Sequence, residues 1–253
     1  MYKTLLAAGI CILSMTSLAS AQEKKEIVIA SEGAYPPFNF MDSNNKLQGF
    51  DIDIANALCE KMQVKCTIVA QDWDGIIPAL LAKKYDAIVA SMTITEERKK
   101  QIDFTDRYYR TPLSVAVPKD SPIKDTTAAS MKGKSVGAQS STTQAIYAEE
   151  TYGKAGASAK LYPTQDEANA DLANGRLDAS VADKFVLVEW LKNAGKDCCK
   201  LLGDIEGTTS EAGIAIRKED KELKEKFNKA IKDIVADGTY KKIQAKYFEF
   251  DIY

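Results

Sequence analysis

The sequence predicts an α/β chain folded as two small lobes, and three observations carry that expectation. Apolar runs of strand length alternate with segments of helical period, the pattern of βαβ winding around a mostly parallel sheet. A second run of the same alternation begins at Ser135. Without its leader the chain keeps roughly 230 residues, more than the commonest single-domain size and suited to two lobes of roughly 100 residues each.

The elements follow in chain order. Residues 1–21 read as a secretory signal peptide: Lys3 at a basic start, an apolar run from Leu5 to Leu18, then Ala19-Ser20-Ala21 before Gln22. The run is shorter than the ~20 residues of a spanning helix, and Glu23-Lys24-Lys25 follows at once. A lipid anchor does not fit, because Cys11 follows Ile10 inside the apolar run. Residues 27–30 are a buried strand, and 51–62 form a helix with Ile54, Ala55, Leu58 and Met62 on one face. A strand at 66–70, a helix at 75–83 and a strand at 87–90 complete the first wind. The second has a strand at 135–138, a helix from about Thr143, a strand near 160–162, a helix at 166–174 and a strand at 178–181. The stretch 111–117 is a candidate crossing between the lobes. After a loop at Gly207 come a strand at 213–216, an amphipathic helix over 221–236 and a shorter helix over 240–247.

Composition narrows the function. The chain has 34 Lys and Arg against 36 Asp and Glu and no long basic run, so it lacks the footprint of a nucleic-acid or anionic-membrane binder. It has no His, which removes Ser-His-Asp and Cys-His nucleophile pairs, His-bound zinc and any imidazole base. Export would permit disulfides. Cys59 near a helix end and Cys66 at the next strand pair across a short loop, for roughly 2.5 kcal/mol by chain entropy. Cys198 and Cys199 are adjacent and either bond to each other or stay reduced; they match no zinc spacing, and no metal or cofactor is expected.

In open α/β sheets ligands bind beyond the carboxyl ends of strands, near helix N-termini with free amides. Arg98 sits there, past Ser91-Met92-Thr93, on the first turn of a short helix that Thr95 could cap. It could hold a carboxylate with help from Thr93, or be a surface Arg paired with Glu96 or Asp103. Ser141-Thr142-Thr143-Gln144 occupies the same place in the second wind, either as an anion clamp or as a plain helix cap. Tyr35 and Trp73 could sandwich a flat or aliphatic group, or belong to the core. Glu32 and Asp183 each follow an apolar strand and need a cation, hydrogen bonds or water if buried.

Several of these stretches together resemble a known family. Gly33-Ala34-Tyr35-Pro36-Pro37-Phe38, Gly49-Phe50-Asp51-Ile52-Asp53-Ile54, Asp86-Ala87-Ile88, Thr93-Ile94-Thr95-Glu96-Glu97-Arg98, Gly175-Arg176-Leu177-Asp178 and Asp237-Gly238-Thr239-Tyr240 are similar to segments of the periplasmic amino-acid-binding proteins of ABC importers. The lysine/arginine/ornithine-binding branch is the most similar. The resemblance implies a type II periplasmic-binding-protein-like α/β fold, with two lobes, two hinge crossings and a ligand cleft between them. Lobe 1 would comprise 22–110 and 207–253, and lobe 2 111–206. The implied function is delivery of a basic L-amino acid, arginine first and lysine, ornithine or histidine also, to a membrane permease by a periplasmic monomer.

Residue by residue, the resemblance implies that Arg98, Thr93 and Thr143 hold the ligand α-carboxylate and Asp183 its α-ammonium. Tyr35 and Trp73 would flank the side chain, Glu32 would meet its distal cation, Ser91 would add a hydroxyl or backbone contact, and Met92, Gln139, Thr142 and Gln144 would complete the lining. Cys59 and Cys66 match the disulfide of the branch. The branch often has Asp where Glu32 stands and Ser where Ala90 stands, and Glu32, Trp73 and Ala90 are more like relatives that bind opines such as octopine or nopaline. Asp183 favours a free primary ammonium instead. A periplasmic enzyme on this fold, such as cyclohexadienyl dehydratase, would need a carboxyl group with a raised pKa beside the scissile bond, whereas Glu32 and Asp183 are expected to be ionised partners of cations.

Overall fold

The computed structural model describes residues 26–253, so the expected signal peptide at 1–21 lies outside the described residues. No helix among the described residues is long and apolar enough to cross a membrane.

The chain opens with strand β1 (Glu26–Ser31), whose Ile27, Ile29 and Ala30 are buried. A small antiparallel meander follows, β2 (Ala34–Tyr35), β3 (Asn39–Met41) and β4 (Leu47–Gln48). Strands this short carry no usable alternation, so the sequence does not announce them. Helix α1 (Phe50–Met62) starts at Gly49, which has φ 120°, and a Cβ there would lie 2.3 Å from the Phe38 carbonyl oxygen. Only glycine fits at that close approach. The helix ends at Gln63 in the left-handed conformation and is tied to β5 (Lys65–Ala70) by the Cys59–Cys66 disulfide, with the Cα atoms 6.1 Å apart.

Helix α2 (Trp73–Leu81) begins two residues earlier than the periodicity predicts. Strand β6 is limited to Ala87–Ile88, shorter than the expected 87–90. Its pairing with β1 ends at Ala30 and Ile88, and Ser91, at φ 53°, turns the chain away from the sheet. Helix α3 (Glu96–Lys99) then leads to β7 (Asp103–Thr111).

After Pro112 the chain enters a second sheet. Most of the expected crossing at 111–117 belongs to strand β8 (Leu113–Pro118), because Val115, Ala116 and Val117 are wholly buried there. The sheet continues with β9 (Ser135–Gln139), helix α4 (Thr143–Tyr147) running into a π-helical turn at Ala148–Gly153, β10 (Ser158–Tyr162), α5 (Gln165–Ala173), β11 (Ala179–Asp183), α6 (Lys184–Lys192) and β12 (Cys199–Asp204). Cys198 and Cys199 are bonded to each other. The chain then returns with β13 (Ser210–Ile216), α7 (Lys221–Ala236) and α8 (Thr239–Gln244).

The first sheet has the order β5-β1-β6-β13-β7, and the second β10-β9-β11-β8-β12. In each, one strand runs against the others: β13 in the first, β8 in the second. Each sheet has its own core, around Phe38, Phe50, Ile54 and Phe227 in the first and around Val115, Val136, Val181 and Tyr152 in the second. The polypeptide therefore passes between the sheets twice, at Pro112 and between β12 and β13.

The disulfide closes a loop of sequence separation 7. Replacing Cys59 and Cys66 together by Ala is expected to lower stability by about 2.5 kcal/mol through chain entropy. A lower urea midpoint would show it; an unchanged midpoint would contradict it.

Candidate ligand-binding site

The carboxyl ends of the central strands from both sheets face each other across a small cavity. From the first sheet come Glu32 after β1, Tyr35 in β2, Trp73 opening α2, and Ser91, Thr93 and Arg98 beyond β6. From the second come Gln139 ending β9, Thr142, Thr143 and Gln144 at the start of α4, and Asp183 ending β11. These expected residues all line the cavity. Met92 does not: its side chain is wholly buried with Ile76, Leu80, Ile102 and Phe104. Ala90 lines the cavity in its place; its place in the Ala90-Ser91 strand end was the available signal.

The lobes touch directly across this cavity. Gln139 Nε2 donates to Glu32 Oε1 at 2.5 Å and to the Pro163 carbonyl at 3.1 Å. Trp73 Nε1 donates to the Ser141 carbonyl at 3.1 Å, and Ser140 Oγ to Asp74 Oδ1 at 3.1 Å. The Tyr35 hydroxyl accepts from Gln144 Nε2 and from the Asp183 amide, each at 3.3 Å.

Arg98 is positioned by its own helix. Thr95 Oγ1 caps α3 by accepting from the Arg98 amide at 3.1 Å. The guanidinium donates to the Thr93 carbonyl at 2.9 Å and the Ser141 carbonyl at 3.2 Å, and lies 5.3 Å from the Trp73 ring centroid. The surface-pair alternative is excluded, because Glu96 pairs with Lys99 and Asp103 with Lys224. Among the described residues no carboxylate forms an ion pair with Arg98, and burial pushes it down to about 10.

The two carboxylates are the reverse case. Asp183 is the N-cap of α6 but makes no side-chain capping bond; its Oδ1 accepts from Gln144 Nε2 at 2.8 Å. Burial pushes it up to about 7, against hydrogen bonds from Tyr35 and Gln144 and the charge of Arg98. Burial also raises Glu32 to about 7; the Gln139 hydrogen bond opposes this, while Asp166, Asp72 and Asp74 add to it. Both were expected to be ionised. With protein groups alone around them they titrate near neutrality instead, because closure removes water and neither has an ion-pair partner among the described residues.

The clamp residues divide. Thr142 is committed to its helix, its Oγ1 accepting from the Ala145 amide at 3.0 Å and donating to the Gln139 carbonyl at 2.6 Å. Thr143 Oγ1 donates to Gln144 Oε1 at 3.1 Å. No group of three or more metal-ligating side chains gathers among the described residues.

The family model for bacterial extracellular solute-binding proteins, family 3, matches residues 27–250. An L-arginine-binding protein of Pseudomonas aeruginosa is 45% identical over 99% of this chain and 98% of its own length. The lysine/arginine/ornithine-binding periplasmic protein of Escherichia coli K12 is 41% identical over 100% and 99%. A solved structure of an ancestral arginine-binding protein bound to arginine superimposes with a TM-score of 0.84 at 40% identity, covering 89% of this chain and 99% of that one. The chain belongs to the bacterial extracellular solute-binding proteins, family 3.

Proposed function

We propose that this protein is the periplasmic substrate-binding component of an ABC importer and that it takes a basic L-amino acid, arginine foremost, in the cavity between its lobes. One observation carries the reading: a single cavity holds a guanidinium that forms no ion pair among the described residues and two carboxylates that form none either. That pattern complements an α-carboxylate, an α-ammonium and a distal cation. Arg98 with Thr93 and Thr143 holds the carboxylate, Asp183 the ammonium, and Glu32 the distal cation, while Tyr35 and Trp73 flank the side chain.

The titration behaviour fits this chemistry. A carboxyl group near 7 could serve as a general acid, but a cation brought beside it replaces the lost hydration and restores the ionised form. Each carboxylate is therefore a cation acceptor, and no reaction step is assigned. A ligand touching both lobes shifts the hinge equilibrium toward closure, and the permease reads the closed form. The mature protein acts as a periplasmic monomer released by cleavage after Ala21. Relatives named for arginine, lysine and ornithine support the substrate class.

Replacing the Glu32 carboxylate by an amide separates the ligands. Glu32→Gln is expected to weaken arginine binding roughly tenfold to a hundredfold, the worth of a charge-assisted hydrogen bond, while leaving glutamine binding nearly unchanged. Calorimetric titration with arginine, lysine, ornithine, histidine, glutamine and octopine checks this. Equal losses for arginine and glutamine would contradict the assigned role, and octopine binding better than arginine would move the function to opine uptake.

A further inference from the structure

The space between the lobes does not end at Glu32. A second cleft adjoins the cavity there, and the two share Glu32 and Trp73 as lining. The first lobe contributes Ala34 and, at the start of α2, Asp72, Asp74 and Gly75 to this cleft, and the second lobe Pro163 and Thr164, just before α5. Gln139 lines the cavity, and its Nε2 donates to one residue from each wall of the cleft, to Glu32 Oε1 at 2.5 Å and to the Pro163 carbonyl at 3.1 Å. The junction between the two spaces is thus built from the side chains of Glu32, Trp73 and Gln139, which turn about rotatable bonds.

The cleft has a chemistry of its own. Asp72 is the N-cap of α2 but makes no side-chain capping bond, and Asp74 accepts from the neutral Ser140 hydroxyl across the lobes at 3.1 Å. No Lys or Arg lines the cleft among the described residues, while Trp73, Pro163 and Ala34 give it apolar surface. A group that extends past a cation held at Glu32 meets apolar surface and two carboxylates. Alkyl, hydrogen-bond-donating and cationic groups suit such walls, and an added carboxylate is repelled by like charge.

We propose that the site also takes basic amino acids substituted on the distal nitrogen, with the substituent passing Glu32 into this cleft, and that it selects among them by charge, taking neutral or cationic substituents and refusing carboxylated ones. This rests on the reading of the cavity as a basic amino-acid site with its distal cation at Glu32. An Nω-alkyl guanidinium keeps its positive charge and all but one of its N–H donors. Its bond to Glu32 therefore survives, and the substituent needs room beyond the carboxylate, where the cleft lies.

Competition calorimetry on the mature protein, refolded free of ligand, tests this with arginine, Nω-propyl-L-arginine and argininosuccinate, which carries a dicarboxylate substituent on the same nitrogen. Nω-propyl-L-arginine should bind within about tenfold of arginine, and argininosuccinate at least about tenfold more weakly than Nω-propyl-L-arginine. Gly75→Leu fills the cleft from α2; a Cβ there meets Gln71 Nε2 at 3.0 Å, the far end of a flexible side chain. It should weaken Nω-propyl-L-arginine by about tenfold or more and arginine by less than about threefold. Ala34→Leu fills the cleft from β2 and gives the same comparison if Gly75→Leu does not fold. A wild-type preference for arginine beyond tenfold, equal losses of both ligands in the filled variants, or argininosuccinate binding as well as Nω-propyl-L-arginine would overturn the proposal. Failure of the wild-type protein to bind arginine would instead overturn the binding reading, and this inference with it.

Discussion

Arg98→Ala should reduce arginine affinity by more than a hundredfold while leaving the ligand-free protein at least as stable. The guanidinium is held by two carbonyl groups and the Trp73 face, with no carboxylate of its own. Its charge is thus poorly compensated in the fold, as its lowered pKa shows, and removing it costs little before ligand arrives. Once a ligand carboxylate is enclosed there, the same deletion leaves that carboxylate desolvated without its partner, a loss of roughly 3 kcal/mol or more. Thermal unfolding separates the two effects: the melting temperature without ligand should hold, and the rise produced by arginine should vanish. A variant that melts early but binds normally would show that Arg98 is structural.

Asp183→Asn should be nearly as damaging to binding, and it carries a pH signature. The carboxyl group has an ordinary value of 3.8 and stands at about 7 in the closed protein. Closure without a cation therefore takes up a proton as the pH falls below about 7, and by linkage acid favours the closed form over an open one in which the group is hydrated. Glu32, raised from 4.5 to about 7, acts in the same direction. Ligand-free protein should give a smaller radius of gyration by X-ray scattering at pH 5.5 than at pH 8, while the arginine complex stays compact at both. Asp183→Asn should blunt that pH response and weaken arginine binding at pH 8 roughly a hundredfold, as expected for a buried charge pair losing one partner. A ligand-free radius that ignores pH would contradict the linkage.

What the sequence disclosed followed from long-period patterns and chain order. The strands β1, β5, β6, β9 and β11 could be located from apolar runs, with the ends of β6 and β11 displaced, and the rule that ligands sit beyond strand ends brought forward Glu32, Trp73, Thr93, Arg98, Gln139 and Asp183 together. Helix α7, with its wide apolar face, was legible to the residue. The meander β2–β4 was not, because two- and three-residue strands have no period to read. Met92 was misplaced because a strand-end position alone does not say which face a side chain takes. The alternatives for Arg98 stayed open because only tertiary contacts show that Lys99 and Lys224 take Glu96 and Asp103.

The charge pattern of the cavity is the centre of this account, and calorimetric titration with arginine tests it most directly. The protein would be unfolded and refolded first, to strip any ligand carried through purification. One arginine should bind per chain with a submicromolar Kd, and lysine, ornithine or histidine should bind at the same site in competition. No heat of binding with any of the four would contradict it, since a cavity built of Arg98, Asp183 and Glu32 would then serve some other purpose than holding a basic amino acid.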